Sequence, residues 1–174
     1  LNIIQNYFVK KGFFNTKIDI VETVDTSMLN NLVTLDIYVK KNSKVKVEAV
    51  NIEGNSEFSD RKLKRFMKNT KEKKFYHLFK RSKYLEADFE EDQERILTKY
   101  NEKGYRNAKI LSDSLYHING KLIGIDLKVK EGSQFYFGDI TWLGNTKYST
   151  EILANRLGIS KGELYNQVKL EERL

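Results

Sequence analysis

Two stretches of the chain, "VNIEGNSEFSDRKL" at Val50 to Leu63 and "ITWLGNTKYSTEIL" at Ile140 to Leu153, share one pattern. Each runs from alternating apolar residues into a Gly-Asn pair, which is followed by an aromatic residue, a serine and the first apolar turn of a helix. Gly54 and Gly144 stand 90 positions apart, and the other shared residues keep that offset. The pattern predicts a strand-to-helix junction that occurs twice, which indicates repeated modules.

Two further correspondences set the limits of one module. The stretch "FVKKGFFNTKI" parallels "YNEKGYRNAKI" around Gly12 and Gly104, and "LDIYVKKNSK" parallels "IDLKVKEGSQ". The order of these blocks predicts three parts, namely the end of one module at 1–42, a complete module at 43–131 and the start of another at 132–174. The short links between them predict a semi-rigid string.

The complete module is predicted to have the element order β-α-α-β-β. Its first strand alternates at Val45 and Val47, and the phase then slips to Val50 and Ile52, which predicts a bulge. The third copy repeats this strand pattern at 135–142. A helix begins at the N-cap Ser59, and a second helix occupies 85–103.

A hairpin completes the module. Its first strand is predicted at 108–116, its turn at Asn119-Gly120 with type I′ geometry, and its return strand has apolar residues on one face. The earlier copy has a matching inward row at Val33, Leu35, Ile37 and Val39. We therefore predict an α+β fold in which two helices cover one face of a three-stranded mixed sheet.

These residues carry a resemblance to a known family. Tandem β-α-α-β-β modules with Val-x-x-Val-x-Ile-x-Gly-Asn at Val47 to Asn55, and Tyr-x-x-x-Gly-Tyr at Tyr100 to Tyr105, resemble POTRA (polypeptide-transport-associated) domains. They are most similar to those of the BamA family of outer-membrane β-barrel assembly proteins. The segment between the helices, Thr70 to Lys83, is about twelve residues longer than its counterpart in the last copy.

The resemblance implies a scaffold on the periplasmic side of the bacterial outer membrane. Its partners would be unfolded outer-membrane proteins and assembly-machinery lipoproteins, with membrane contact only through a C-terminal barrel that lies outside this chain. In this family the first strand of the hairpin lies at a sheet edge, where an extended client can add as a further strand. The predicted binding edge consists of Lys109, Ile110, Leu111, Ser112, Asp113, Ser114, Leu115 and Tyr116.

The remaining motif residues have an architectural interpretation. Glycine permits the tight exit from a strand or helix, and asparagine can bond to nearby backbone groups. This interpretation applies to Gly54, Asn55, Gly104, Tyr105, Gly144 and Asn145. A proline at Ser112 is expected to remove an edge donor while sparing most of the fold.

Other function classes find little support in the sequence. His77 and His117 lack metal-ligand spacing, and the acidic residues at 90–94 have the pattern of a solvated helix face, so we expect no enzyme, no cofactor and no metal site. Other POTRA proteins, of two-partner secretion or cell division, remain an alternative. A KH-like RNA-binding module shares a βααβ core, but Gly-x-x-Gly spacing is absent, so we expect no nucleic-acid partner.

Composition sets the remaining expectations. The formal charge of +7 is distributed among 31 basic and 24 acidic residues, which is typical of a mixed-charge surface; the densest basic stretch is Lys71 to Lys83, expected to be a surface loop. No apolar run is long enough to span a bilayer, and cysteine is absent. The two partial modules would each expose an apolar face, so self-association of the fragment through its ends is expected.

Overall fold

The computed structural model describes residues 2–24, 32–73 and 82–174. Most of the Lys71 to Lys83 stretch, with His77, lies outside the described residues. The described residues form helices and strands in the order α1 (Asn2–Lys10), β1 (Lys17–Val24), β2 (Val33–Lys40), β3 (Lys46–Glu53), α2 (Asp60–Phe66), α3 (Glu86–Asn101), β4 (Lys109–Asn119), β5 (Leu122–Lys130), α4 (Thr150–Leu157) and α5 (Gln167–Arg173).

The strands lie in two sheets, and the α+β prediction is confirmed. Strands β1 and β2 form an antiparallel hairpin, while the middle module has the strand order β3-β5-β4. Strand β5 runs parallel to β3 and antiparallel to β4, so the sheet is mixed as predicted. One face of this sheet packs against α2 and α3 in a core of Val45, Val47, Val50, Ile52, Phe58, Leu63, Met67, Tyr84, Phe89, Ile96, Tyr100, Ile123, Ile125, Leu127 and Val129.

The phase slip in the first strand corresponds to a real bulge. The register between β3 and β5 shifts between Val47 and Ala49, so one extra residue of β3 is accommodated there. Val47 on one side of the shift and Val50 on the other are both buried. The bulge thus keeps both halves of the strand in the core despite the broken alternation.

The partial modules depart from the sequence prediction. No strand is present at 132–149 among the described residues, where only Tyr136 bridges to Leu164, because no hairpin lies beside that segment to pair with it. The row predicted to face inward on β2 is exposed by 40 to 54% because nothing in the described ranges packs against it. The strand pattern at 135–142 therefore does not form a strand, and the β2 row is an exposed apolar face of the kind expected of a partial module.

The hairpin turn of the middle module lies one residue further along than predicted. Asn119 pairs with Leu122, so the two turn residues are Gly120 and Lys121. Neither has a positive φ angle, which excludes the type I′ turn. The Asn119 side chain instead accepts a hydrogen bond from the Lys121 amide at 2.9 Å, as in an Asx-turn.

The joint between modules is built twice with equivalent contacts. Gly12 O accepts from Val45 N at 3.0 Å, and Tyr84 N donates to Val45 O at 3.1 Å. At the second joint Gly104 O accepts from Phe135 N at 2.8 Å, and Tyr165 N donates to Phe135 O at 2.9 Å. The bonds from Gly12 to Val45 and from Gly104 to Phe135 connect one module to the next, which is in line with the expectation of a semi-rigid string, and the other two bonds hold Val45 and Phe135 within their own modules.

The same correspondence corrects the predicted length of the insertion. Val45 corresponds to Phe135, 90 positions on, whereas Tyr84 corresponds to Tyr165, 81 positions on. The segment between the helices is therefore nine residues longer in the middle module than in the third copy, rather than about twelve. No helix within the described ranges has the length and apolarity required to cross a membrane.

Candidate functional site: a free sheet edge

Strand β4 is an edge of the three-stranded sheet, and it contains all eight residues of the predicted binding edge. Its inner side pairs with β5 throughout. Within the described part of the chain, no other backbone segment pairs with its outer side. The exposed side chains along it include the apolar Leu111 and Ile118. The sequence-predicted residues are thus brought together on one open edge.

The opposite edge of the same sheet, strand β3, is covered. Val47 N donates to Ser82 O at 2.8 Å, and Val47 O accepts from Lys73 N at 2.7 Å. Further along, Val50 N donates to the Glu72 carboxylate at 3.0 Å. The two ends of the segment between α2 and α3 therefore occupy the groups that an added strand would need on this side.

Asp92 anchors the first of these covering ends. Its carboxylate is fully buried and accepts hydrogen bonds from the backbone amides of Lys68 at 2.6 Å, Asn69 at 3.1 Å and Thr70 at 2.5 Å. Arg95 adds an ion pair at 2.5 Å. The interpretation of residues 90–94 as a wholly solvated face was therefore wrong at Asp92, because three otherwise unpaired amides after α2 require an acceptor there.

The register of the sheet shows which backbone groups of β4 point away from β5. The Val50 amide points away from β5, because it donates to Glu72 on the other side of β3. Backbone groups alternate in direction along a strand, so those of the next residue, Asn51, point towards β5, where Asn51 is in register with Asp126. In a parallel pair those groups bond to the neighbours of Asp126, so the backbone groups of Asp126 itself face β4 and its partner Ser114.

Alternation along β4 then assigns the backbone groups from Ser112 to Tyr116, between the two register shifts of this strand. Ser112, Ser114 and Tyr116 bond to β5, whereas the amide and carbonyl groups of Asp113 and Leu115 point outward. A proline at Ser112 would consequently break a bond to β5, so Ser112 is the wrong position for a substitution meant to spare the fold. Asp113 is the better position, because its amide lies on the free side.

Side chains define two faces beside this edge. On the face opposite the helices, the Tyr116 ring covers Gly124, where an added Cβ would stand 2.0 Å from the ring. On the helix side, the Asp113 carboxylate accepts from the Gln93 side chain at 2.6 Å. An added strand would therefore have the Tyr116 ring next to one of its faces. Its other face, on the helix side of the sheet, would lie next to the side chains of Asp113 and Leu115.

A groove opens next to Leu115, between the first partial module and the middle one. It has a volume of about 230 Å³. Its lining residues come from α1, from the segment that follows α1, from the start of α3 and from β4, and they are Asn6, Val9, Lys10, Phe14, Tyr84, Glu86 and Leu115. The Phe14 and Tyr84 rings meet edge to face at 5.7 Å, so the groove has an aromatic wall.

The Gly-Asn junctions have the same geometry in both copies. Gly54 has φ of 83° and Gly144 has φ of 75°, in the left-handed region. Asn55 donates to Phe58 O at 2.8 Å, and Asn145 donates to Tyr148 O at 3.2 Å. In each copy these residues form the turn that leads into the first helix of the module, and they lie outside β4.

Glu131 holds the same junction in the middle module, and the sequence interpretation did not find it. Its carboxylate accepts from the amides of Ser56 at 2.8 Å and Glu57 at 2.9 Å, and from the Tyr100 hydroxyl at 2.9 Å. Burial and the Glu131 contact together raise the pKa of Tyr100. Gly104, which follows the C-terminal end of α3, has φ of 83°. The hydroxyl of the next residue, Tyr105, donates a hydrogen bond to the Glu57 carboxylate at 3.3 Å.

Side chains that could hold a metal ion are not grouped together within the described residues. No cluster of three or more histidine, cysteine, aspartate or glutamate side chains that could hold a metal occurs there. His117 contacts the Phe14 ring at 5.6 Å, next to the hairpin turn, and belongs to the joint between modules.

Comparisons with known proteins are consistent with this architecture. The POTRA family model, described as "Surface antigen variable number repeat", matches residues 45–132 and 135–174. The chain is similar to outer membrane protein assembly factor BamA of Neisseria meningitidis serogroup B, at 30% identity over 122 residues, covering 70% of this chain and 15% of the relative. A putative outer membrane protein assembly factor of Treponema pallidum is 25% identical over 145 residues, covering 80% of this chain and 17% of that protein.

A solved structure shares the fold. The crystal structure of BamA POTRA3-5 from Haemophilus influenzae aligns with a TM-score of 0.56 at 18% identity, over 99% of this chain and 64% of that one. The chain thus spans a small part of the curated relatives it matches, between 15 and 17% of the two named above. The family match covers most of the chain, and the predicted resemblance is confirmed: the chain belongs to the POTRA family.

Proposed function

We propose that this chain is a non-enzymatic scaffold of outer-membrane protein assembly that captures unfolded β-barrel clients on the edge of β4. The observation that carries the proposal is the asymmetry of the middle sheet. Its β3 edge is closed by residues 72–73 and 82–84, whereas the outward backbone groups of Asp113 and Leu115 on β4 have no partner among the described residues. Main-chain hydrogen bonds suit many clients because they do not require one sequence.

The neighbouring groove adds a place for client side chains. Alternate residues of an added strand point to opposite faces, so those on the helix side would lie next to Leu115 and the Phe14–Tyr84 wall. Clients that fold into transmembrane barrels alternate apolar and polar residues. Such a strand could place its apolar residues in the groove and leave its polar residues on the open face.

The setting of the scaffold follows from its relatives. We place it on the periplasmic side of the bacterial outer membrane, beside partner lipoproteins, because the similar proteins are outer membrane protein assembly factors. We further propose that the modules divide at 42/43 and 131/132, since the two equivalent joints begin immediately afterwards at Val45 and Phe135. Detection of this protein in a cytoplasmic fraction alone would contradict this placement.

Asp113→Pro is expected to weaken binding of an extended peptide roughly tenfold, because it removes an outward donor and adds a ring at the edge. The probe is a labelled ten-residue peptide that alternates apolar and polar residues, titrated by fluorescence anisotropy. The fold should persist because the Asp113 amide makes no bond to β5. Circular dichroism of the variant checks this.

Two variants control for the other effects of that change. Asp113→Asn keeps the backbone donor and removes only the charge, so its affinity should remain within about twofold of the parent. Ser112→Pro should lower thermal stability, because the Ser112 amide bonds to β5. A folded Asp113→Pro variant that binds the peptide as tightly as the parent would contradict capture at this edge.

A further inference from the structure

A cleft at the end of the middle sheet collects lysine side chains. It has a volume of about 390 Å³ and lies where the link between modules, the start of β3 and the hairpin turn meet. The described residues that line it include four lysines and no carboxylate, and they are Ser43, Lys44, Lys46, Lys73, Asn119, Lys121 and Leu122. We call this feature the lysine cleft.

The described residues provide no ion-pair partner for the lysines of this cleft. Elsewhere in the described ranges, lysines such as Lys64, Lys99 and Lys169 form ion pairs with carboxylates at 2.6 to 2.9 Å. None of the four cleft lysines has a carboxylate within 4.0 Å among the residues that the structure describes. The chain has 24 acidic residues, so the positive charge of this cleft is a local excess within the described part of the chain.

The backbone fixes these lysines in place. Lys46 N donates to Lys121 O at 2.9 Å, and Lys73 N donates to Val47 O at 2.7 Å. A fifth lysine, Lys83, lies directly opposite Lys46 in an antiparallel bridge. Like charges in facing positions repel each other, so this arrangement costs stability when nothing neutralises it.

The repeat shows that the fold does not require lysines at this bridge. In the third copy the same bridge is made by Tyr136 and Leu164, which occupy the positions of Lys46 and Lys83. Lys44 likewise corresponds to Gln134. The equivalent main-chain bonds form in both copies, so the architecture is satisfied without charge. The fold is therefore compatible with uncharged residues at the positions of Lys44, Lys46 and Lys83.

We propose that the lysine cleft binds an acidic segment of a partner polypeptide. A negatively charged ligand would neutralise the repulsion between the lysines and so make their arrangement favourable. A concave surface with charges of one sign also concentrates its electrostatic field on a ligand that approaches it. A chain with several carboxylates can enter a cleft and reach lysines on different walls. A membrane surface is flat, and would meet the rim of the cleft instead of its lining.

This inference is separate from client capture on β4. The outward groups of Asp113 and Leu115 are not among the lining residues of the cleft. Loss of one interaction therefore leaves the other measurable. Steering by the cleft would act mainly on the rate of encounter and would weaken as salt screens the charges.

The test is a titration of the chain with a fluorescein-labelled peptide of eight glutamates, at low salt. The triple variant Lys46→Gln, Lys73→Gln and Lys121→Gln should bind it roughly tenfold more weakly than the parent. A matched triple, Lys103→Gln, Lys128→Gln and Lys130→Gln, removes the same charge from exposed positions elsewhere and should lose less than about threefold. Thermal unfolding of the cleft variant should be unchanged or higher, because repulsion is relieved.

Three outcomes would overturn the proposal. The first is absence of measurable binding of the glutamate peptide to the parent chain. The second is equal loss in both triple variants, which would indicate a general charge effect. The third is selective loss of binding to phosphatidylglycerol vesicles, with peptide binding intact, which would identify a lipid surface as the occupant.

Discussion

Asp92→Ala is expected to lower the free energy of unfolding of the middle module by about 4 kcal/mol. The substitution would leave the amides of Lys68, Asn69 and Thr70 without their acceptor, and Thr70 is itself buried. It would also remove the ion-pair partner of Arg95. Urea unfolding followed by circular dichroism measures the change.

The control for this prediction lies on the same helix. Glu94 is exposed, and its side chain makes no contact comparable to that of Asp92, so Glu94→Ala should change stability by less than about 0.5 kcal/mol. An Asp92→Ala variant within 1 kcal/mol of the parent, on the scale of ordinary surface changes, would show that the buried carboxylate is not an anchor.

Loss of Asp92 should also affect which edge is open. Asp92 holds residues 68–70, and the following residues Glu72 and Lys73 close the edge of β3. Release of this segment would expose a second row of unpaired groups, and such edges promote association between chains. We therefore expect the variant to aggregate more readily than the Glu94→Ala control.

Gly54→Ala is the second large effect, at about 3 kcal/mol or more. Gly54 has φ of 83°, and an added Cβ would stand 2.1 Å from the Val129 carbonyl oxygen. A backbone atom cannot yield as a flexible side chain would, so either the strand ends or the junction must move. Native-state hydrogen exchange at the Ile123 and Leu127 amides measures the loss within the middle module.

The repeat supplies the matched control. Gly144 lies at the equivalent junction with φ of 75°, but an added Cβ there would have nothing within 4 Å. Gly144→Ala should therefore cost only the strain of a left-handed backbone conformation, about 1 kcal/mol. Gly120→Ala, in the turn of the middle module, has open space and no positive φ and should be nearly neutral. Equal effects at Gly54 and Gly144 would show that the contact with Val129 is not responsible.

Features that depend on local pattern could be predicted from the sequence. The phase slip from Val47 to Val50 predicted the bulge. Side chains of a strand alternate with a period of two residues, so both valines can lie in the core only if one extra residue is inserted between them. The repeated Gly-Asn pairs and the glycine at the end of the second helix identified the module. The edge position of β4 came from the family resemblance, and the sheet order agrees with it.

Features that depend on partners distant in sequence could not be predicted. Asp92 looks like any acidic residue of a helix, and its role arises from amides more than twenty residues away. The strand pattern at 135–142 did not produce a strand because strands need a neighbour. The outward direction of the Asp113 amide depends on the register of three strands, so the sequence alone could not separate Asp113 from Ser112.

Amide hydrogen exchange along β4, measured by NMR with and without the alternating peptide, tests the central claim most directly. In the free chain, the amides of Ser112 and Ser114 should be protected by β5, whereas those of Asp113 and Leu115 should exchange rapidly. Added peptide should protect Asp113 and Leu115 and produce its largest shifts from Lys109 to Tyr116. Rapid exchange at Asp113 and Leu115 in the presence of saturating peptide, with shifts confined to the helices or to residues 71–73, would contradict capture on this edge.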